Sequence, residues 1–94
     1  MKEDQVGSVV NSSVEELNGQ LGVKDQLKMD PDTLLYGEGG PLDSLTLLNL
    51  LVIVEGRLEE EGFTVSLIDE EALARADGPF RTIQTFTEYV FGRL

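Results

Sequence analysis

The sequence predicts a small all-α protein. The expected fold is a four-helix bundle, three longer helices plus one short helix, with a long loop between helices one and two. Three observations predict it. Apolar residues recur at spacings of three and four through residues 4–21 and 44–61. Helix-starting side chains stand just ahead of the later helical segments: Asp43, Asp69 and Thr82. Glycine and proline then separate the segments, at Gly37, Gly39, Gly40 and Pro41 and again at Gly78 and Pro79. Ninety-four residues leave room for one core, so 1–94 reads as a single domain.

The first helix is expected within residues 4–21, with Val6, Val10, Val14, Leu17 and Leu21 on one face and Gly22 as its C-cap. Gly7, Asn11, Asn18 and Gly19 weaken it. Ser12 and Ser13 each have a Glu three residues on, which offers a second possible start. Residues 24–42 form the long connection. Leu27, Met29, Leu34, Leu35 and Tyr36 make it too apolar for a free linker, so it should pack on the helices. A loop of this length in a small domain points to a function. Asp30-Pro31-Asp32 resembles the start of a calcium loop, but Leu34, Leu35 and Pro41 fill places that need an oxygen ligand, a Gly and a Glu. No metal site is expected.

Pro41 cannot enter a helix, and Asp43 is a strong N-cap able to accept from the N–H groups of Leu45 and Thr46. Leu42 and Leu47 stand where a hydrophobic staple would join them. Ser44 should therefore open the second helix, 44–61, with its hydroxyl facing water. An anion attached there meets the positive end of the helix dipole. Leu47, Leu50, Leu51, Val54 and Leu58 share the core arc, while Asn49, Gly56 and Glu59 mark the opposite side. Leu45, Val52 and Ile53 are left over. They are either covered by the loop, scattered exposed apolar residues, or a docking strip beside Ser44. Glu59, Glu60 and Glu61 read as a solvated face, ended by Gly62. Phe63, Val65, Leu67 and Ile68 form an extended link. Asp69 caps the short helix 70–74, and Thr82 caps the last helix, 83–92, with Ile83, Phe86 and Val90 inward.

Eighteen acidic against seven basic residues give a net charge of −11. That argues against nucleic acid and anionic membranes as partners; it either favours basic protein surfaces or serves solubility alone. There is no Cys, and hence no disulfide and no thiol. There is no His, so a Ser44 nucleophile would lack the usual base, and nothing places Lys2, Lys24 or Lys28 to replace it. The chain is read as no enzyme. The start Met1-Lys2-Glu3-Asp4 is not a signal peptide, and the central apolar run is too short to insert in a membrane. A cytoplasmic monomer is expected.

Asp43-Ser44-Leu45, preceded by Leu34-Leu35-Tyr36-Gly37-Glu38-Gly39-Gly40, resembles the acyl carrier protein family. Leu21-Gly22-Val23 is similar to the end of that family's first helix. Pro79-Phe80-Arg81-Thr82-Ile83, with Phe86, Tyr89 and Val90, is similar to its last. The resemblance covers nearly the whole chain, making 1–94 an acyl-carrier-like domain. It implies a 4′-phosphopantetheine arm on Ser44, joined by a phosphodiester and ending in a thiol that holds acyl groups as thioesters. Asp43 would support attachment, with Leu45 beside it. The implied partners are a phosphopantetheinyl transferase and the acyl-loading and acyl-processing enzymes of fatty acid, lipid or specialised acyl biosynthesis. Leu47, Leu51, Val54, Ile83 and Phe86 would shelter an acyl chain. Where family members of primary fatty acid synthesis carry acids along the second helix, this chain has Thr46, Asn49 and Gly56, with Glu55 at the edge. That departure points to a specialised, free-standing bacterial-type carrier. Its partners would be met by Leu45, Asn49, Val52, Ile53 and Glu55. Two other readings stay open: an acidic helical interaction module without the arm, and a peptidyl or aminoacyl carrier.

Overall fold

The computed structural model describes residues 1–21, 26–37, 39–75 and 78–94. Four helices follow in order: α1 (Glu3–Asn18), α2 (Ser44–Glu60), α3 (Glu70–Leu73) and α4 (Ile83–Gly92). There is no strand among the described residues. α1 packs against both α2 and α4. The fold is the expected small all-α bundle, with three longer helices, one short helix and a long loop after α1.

α1 buries Val6, Val10, Val14 and Leu17, the face its spacing predicts. It begins at Glu3, so the second possible start at Ser12 or Ser13 is not used. Ser13 lies buried inside the helix and donates to the Val9 carbonyl (2.7 Å). The helix ends earlier than expected, at Asn18, with Gly19 as its C-cap. At that end the Asn18 side chain holds the loop. Its Nδ2 donates to the Leu27 carbonyl (2.9 Å), and its Oδ1 accepts from the Leu27 N–H (2.7 Å). The amide thus pairs with one residue of the loop as a peptide unit would, at the point where Gly19 offers little helix propensity. The expected C-cap at Gly22 lies outside the described residues.

α2 buries Leu47, Leu50, Leu51, Val54 and Leu58, all fully, and leaves Asn49, Gly56 and Glu59 to solvent. Each such leucine contributes roughly 1.5–3 kcal/mol relative to an exposed one. Glu61 is the C-cap, and Gly62 reverses the chain at a φ of 92°, a conformation that favours glycine. At its far end α2 is joined to α1 by an ion pair between Arg57 and Glu16 (2.7 Å).

The long loop is packed, as its apolar content predicts: Leu27, Leu35 and Leu42 are buried, although Met29 is 43% exposed. It is also stitched to the start of α4. Leu35 N–H donates to the Arg81 carbonyl and Tyr36 N–H to the Phe80 carbonyl, while Ile83 N–H donates to Thr33 and Gln84 N–H to Pro31. Leu34 and Thr82 form the antiparallel bridge at the centre of these stitches.

The link between α2 and α4 is held from both sides. Glu55 Oε2 accepts from the Leu67 N–H (2.7 Å), and Tyr89 Oη donates to the Leu67 carbonyl (3.1 Å). Asp69 caps α3 through the N–H groups of Glu71 and Ala72 and also accepts from Arg93. Phe80, fully buried, meets Phe86 and Tyr89 edge-on at 5.9 and 5.1 Å.

Candidate functional site

Ser44 is the first residue of α2 and is exposed. Three local features put it there. Leu42 and Leu47 are both buried on either side of the helix start, which fixes the angle at which the chain enters. Leu42 N–H donates to the Leu35 carbonyl (2.9 Å), closing the loop behind it. Gly40 lets that loop close: a Cβ there would stand 2.7 Å from the Leu35 carbonyl oxygen.

Asp43 precedes Ser44 in an extended conformation and accepts from the Thr46 N–H through Oδ1 (2.7 Å). Leu45, the second expected donor, does not reach it. The bonds from Thr46, backbone first and side chain second, hold the Asp43 carboxyl below its ordinary value of 3.8. The Leu47 N–H donates to the Asp43 carbonyl. Among the described residues the N–H groups of Ser44 and Leu45, and the Ser44 hydroxyl, have no hydrogen-bond partner. α2 carries no acid in its first turn. The site therefore combines an exposed hydroxyl with two open backbone donors at a positive helix end. Beside it lies a hollow of about 260 Å³ lined by Leu21, Pro41, Leu42, Asp43 and Thr46.

The outer side of α2 continues away from Ser44. Leu45 is 69% and Val52 58% exposed; Asn49 is exposed and Ile53 half-buried. Val52 and Ile53 border a groove of about 370 Å³ that reaches Glu16, Gly56 and Arg57. Glu55 differs from the expectation of a free acid at the edge of this face. It is half-buried and bonded to Leu67, so its carboxylate holds the link in place. Leu47, Leu51, Val54 and Phe86 have no water-accessible surface, and Ile83 is buried. The core they share is closed.

Asp30 and Asp32 do not form a ligand set. Asp30 Oδ1 accepts from the Asp32 N–H (2.8 Å) and its carbonyl from Thr33 N–H, an ordinary turn. Among the described residues no group of three or more His, Cys, Asp or Glu is placed to hold a metal ion. None of the helices among those residues is long and apolar enough to cross a membrane. Sequence reasoning placed Leu35 in the packed loop, where it is buried, but missed that its carbonyl receives the chain just before Ser44. It read Asn18 only as a residue that weakens the first helix, and no local signal announces its pairing with Leu27.

Compared with known protein families, curated proteins and solved structures, the chain matches none.

Proposed function

We propose that this chain carries acyl groups as thioesters on a 4′-phosphopantetheine arm esterified to Ser44. The observation that supports it most is the start of α2: an exposed hydroxyl beside two N–H groups without partners among the described residues, behind a capping aspartate. When attached, the arm supplies the thiol that the Cys-free chain lacks. The protein's residues do the rest. Ser44 Oγ gives up its proton and attacks the pantetheine-side phosphorus of coenzyme A under a phosphopantetheinyl transferase. The pyrophosphate bond breaks, the phosphopantetheinyl group passes to Ser44 and adenosine 3′,5′-bisphosphate leaves. The open N–H groups of Ser44 and Leu45 suit the resulting phosphodiester, which also gains from the helix dipole. Asp43 keeps the turn that presents Ser44.

Delivery to acyl-loading and acyl-processing enzymes falls to the outer side of α2. Leu45 and Val52, flanked by Asn49 and Ile53, offer apolar area there, and Glu55 is already engaged. Docking rests more on apolar burial than on ion pairs. Covering one such side chain is worth roughly 1.5–3 kcal/mol, against at most about 1 kcal/mol for an exposed pair. The net charge of −11 steers basic partners from a distance.

The test is intact mass after incubation with coenzyme A and a phosphopantetheinyl transferase. Wild type gains one arm and Ser44→Ala gains none. An unchanged wild-type mass, or attachment that survives in Ser44→Ala, overturns the reading and leaves a helical interaction module.

A further inference from the structure

A second hollow, larger than the one beside Ser44, lies away from that residue. It measures about 430 Å³ and sits between the N-terminal half of α1, the turn at residues 29–31 and the start of α4. The hollow beside Ser44 lies beyond the other end of α1, at Leu21. Met29, Pro31 and Ile83 supply its apolar surface, and Met29 is 43% exposed there. Glu3, Asp4 and Asp30 are among its lining residues, and among the described residues no basic one lines it.

Gly7 forms part of the wall. A glycine inside a helix weakens it, so a reason for its presence is worth seeking. Packing does not supply one: a Cβ at Gly7 would meet only Thr87 Cγ2, at 4.0 Å, an ordinary contact. The missing side chain instead keeps the groove open between α1 and α4. The groove thus has an apolar floor, three carboxylates in its lining and a wall kept low by a glycine.

From this arrangement we infer that the groove is a docking site for a basic segment of a partner protein. Charge complementarity selects the occupant. A lysine or arginine stem lies on Met29, Pro31 and Ile83, while its head reaches Glu3, Asp4 or Asp30. The site stands whether or not Ser44 is modified.

The probe is a short peptide alternating leucine with arginine, titrated into the whole chain while backbone amide shifts are followed. Its control replaces each arginine with glutamate. The arginine peptide moves the amides of Gly7, Asn11, Asp30 and Gln84, and the glutamate peptide moves none. Gly7→Leu fills the groove, keeps or raises helix stability, and weakens binding at least about tenfold. Asp30→Asn and Glu3→Gln each weaken it about threefold, as expected for exposed charges. Met29→Gln, at an exposed position, weakens it similarly and covers the case in which Gly7→Leu fails to fold. Absence of binding overturns the inference. So do shifts spread over Glu15, Glu59, Glu60 and Glu61 that Gly7→Leu and Met29→Gln leave unchanged, because general attraction to an acidic surface then explains them.

Discussion

α2 and α4 begin in the same way and are finished differently. Each follows an extended residue whose side-chain oxygen accepts from the third helical N–H: Asp43 from Thr46, Thr82 from Thr85. In each, the cap carbonyl accepts from the fourth, Leu47 or Phe86. At α4 the first two N–H groups are taken as well, Ile83 by Thr33 and Gln84 by Pro31. At α2 the corresponding donors, Ser44 and Leu45, have no partner among the described residues. One loop lies between them in this respect, supplying carbonyls to α4 and closing on itself before α2. A helix start completed by its own protein is an anchor. A helix start left half complete at the surface keeps two donors open, which is what the proposed phosphodiester would use.

Leu35→Ala tests the loop that makes this difference and should have the largest effect on stability. Leu35 is fully buried, and the truncation should cost about 2–5 kcal/mol by denaturant unfolding. Amide exchange sharpens the point: Ile83 and Gln84 should be protected in wild type and lose protection in the variant. Ser44 and Leu45 should exchange fast in both. Protected Ser44 and Leu45 amides in the unmodified protein would remove the contrast.

The two caps can then be cut in turn. Thr82→Ala should cost about 1 kcal/mol and leave the rate of arm attachment at Ser44 unchanged. Asp43→Ala should lower the melting temperature by a few degrees and also slow attachment. Equal attachment rates in the two variants would show that the α2 start is no more than a structural cap.

How much of this contrast is legible in the sequence depends on its range. The caps at Asp43, Asp69 and Thr82, the staple of Leu42 and Leu47 and the core face of α2 are local. Each follows from residues within a turn or two, and all are found where expected. The exposed position of Ser44 follows from the same signals. The stitches from residues 31–36 to residues 80–84 are backbone bonds between distant segments, and no side-chain pattern announces them. The Asn18 pairing with Leu27 and the Glu55 bond to Leu67 were hidden for a related reason. Both side chains look like surface polar residues until a partner loop is placed against them.

Acid provides a smaller test. Because bonds from Thr46 lower the Asp43 carboxyl below 3.8, ionised Asp43 favours the folded state. The contribution is full above the unfolded value and is lost as pH falls through the lowered folded one. The stability gap between wild type and Asp43→Ala should therefore be constant near neutrality and close below pH 3.8. The gap for Thr82→Ala, a cap that does not titrate, should not follow that course.

The smallest effect is that of the arm itself. A phosphodiester at the open α2 start should stabilise the protein by about 0.3–1 kcal/mol at low salt, and less as salt rises. Measured by thermal unfolding of modified and unmodified protein, a clear loss of stability on modification at low salt would contradict the placement of the anion at these donors.

The stitching of the loop to α4 also bears on the order in which the molecule is made. α1 and α2 can leave the ribosome and begin to pair before α4 exists. The loop ahead of Ser44 can close on itself early, through Leu42 and Leu35, but its anchorage to the start of α4 forms only once residues 80–84 have been synthesised. A segment in the middle of the chain is therefore among the last to settle, because its contacts are far apart in sequence. A truncated product that had lost α4 would still contain Ser44 but not the loop anchorage around it, so the finished surroundings of that serine mark a chain translated at least through the start of its last helix.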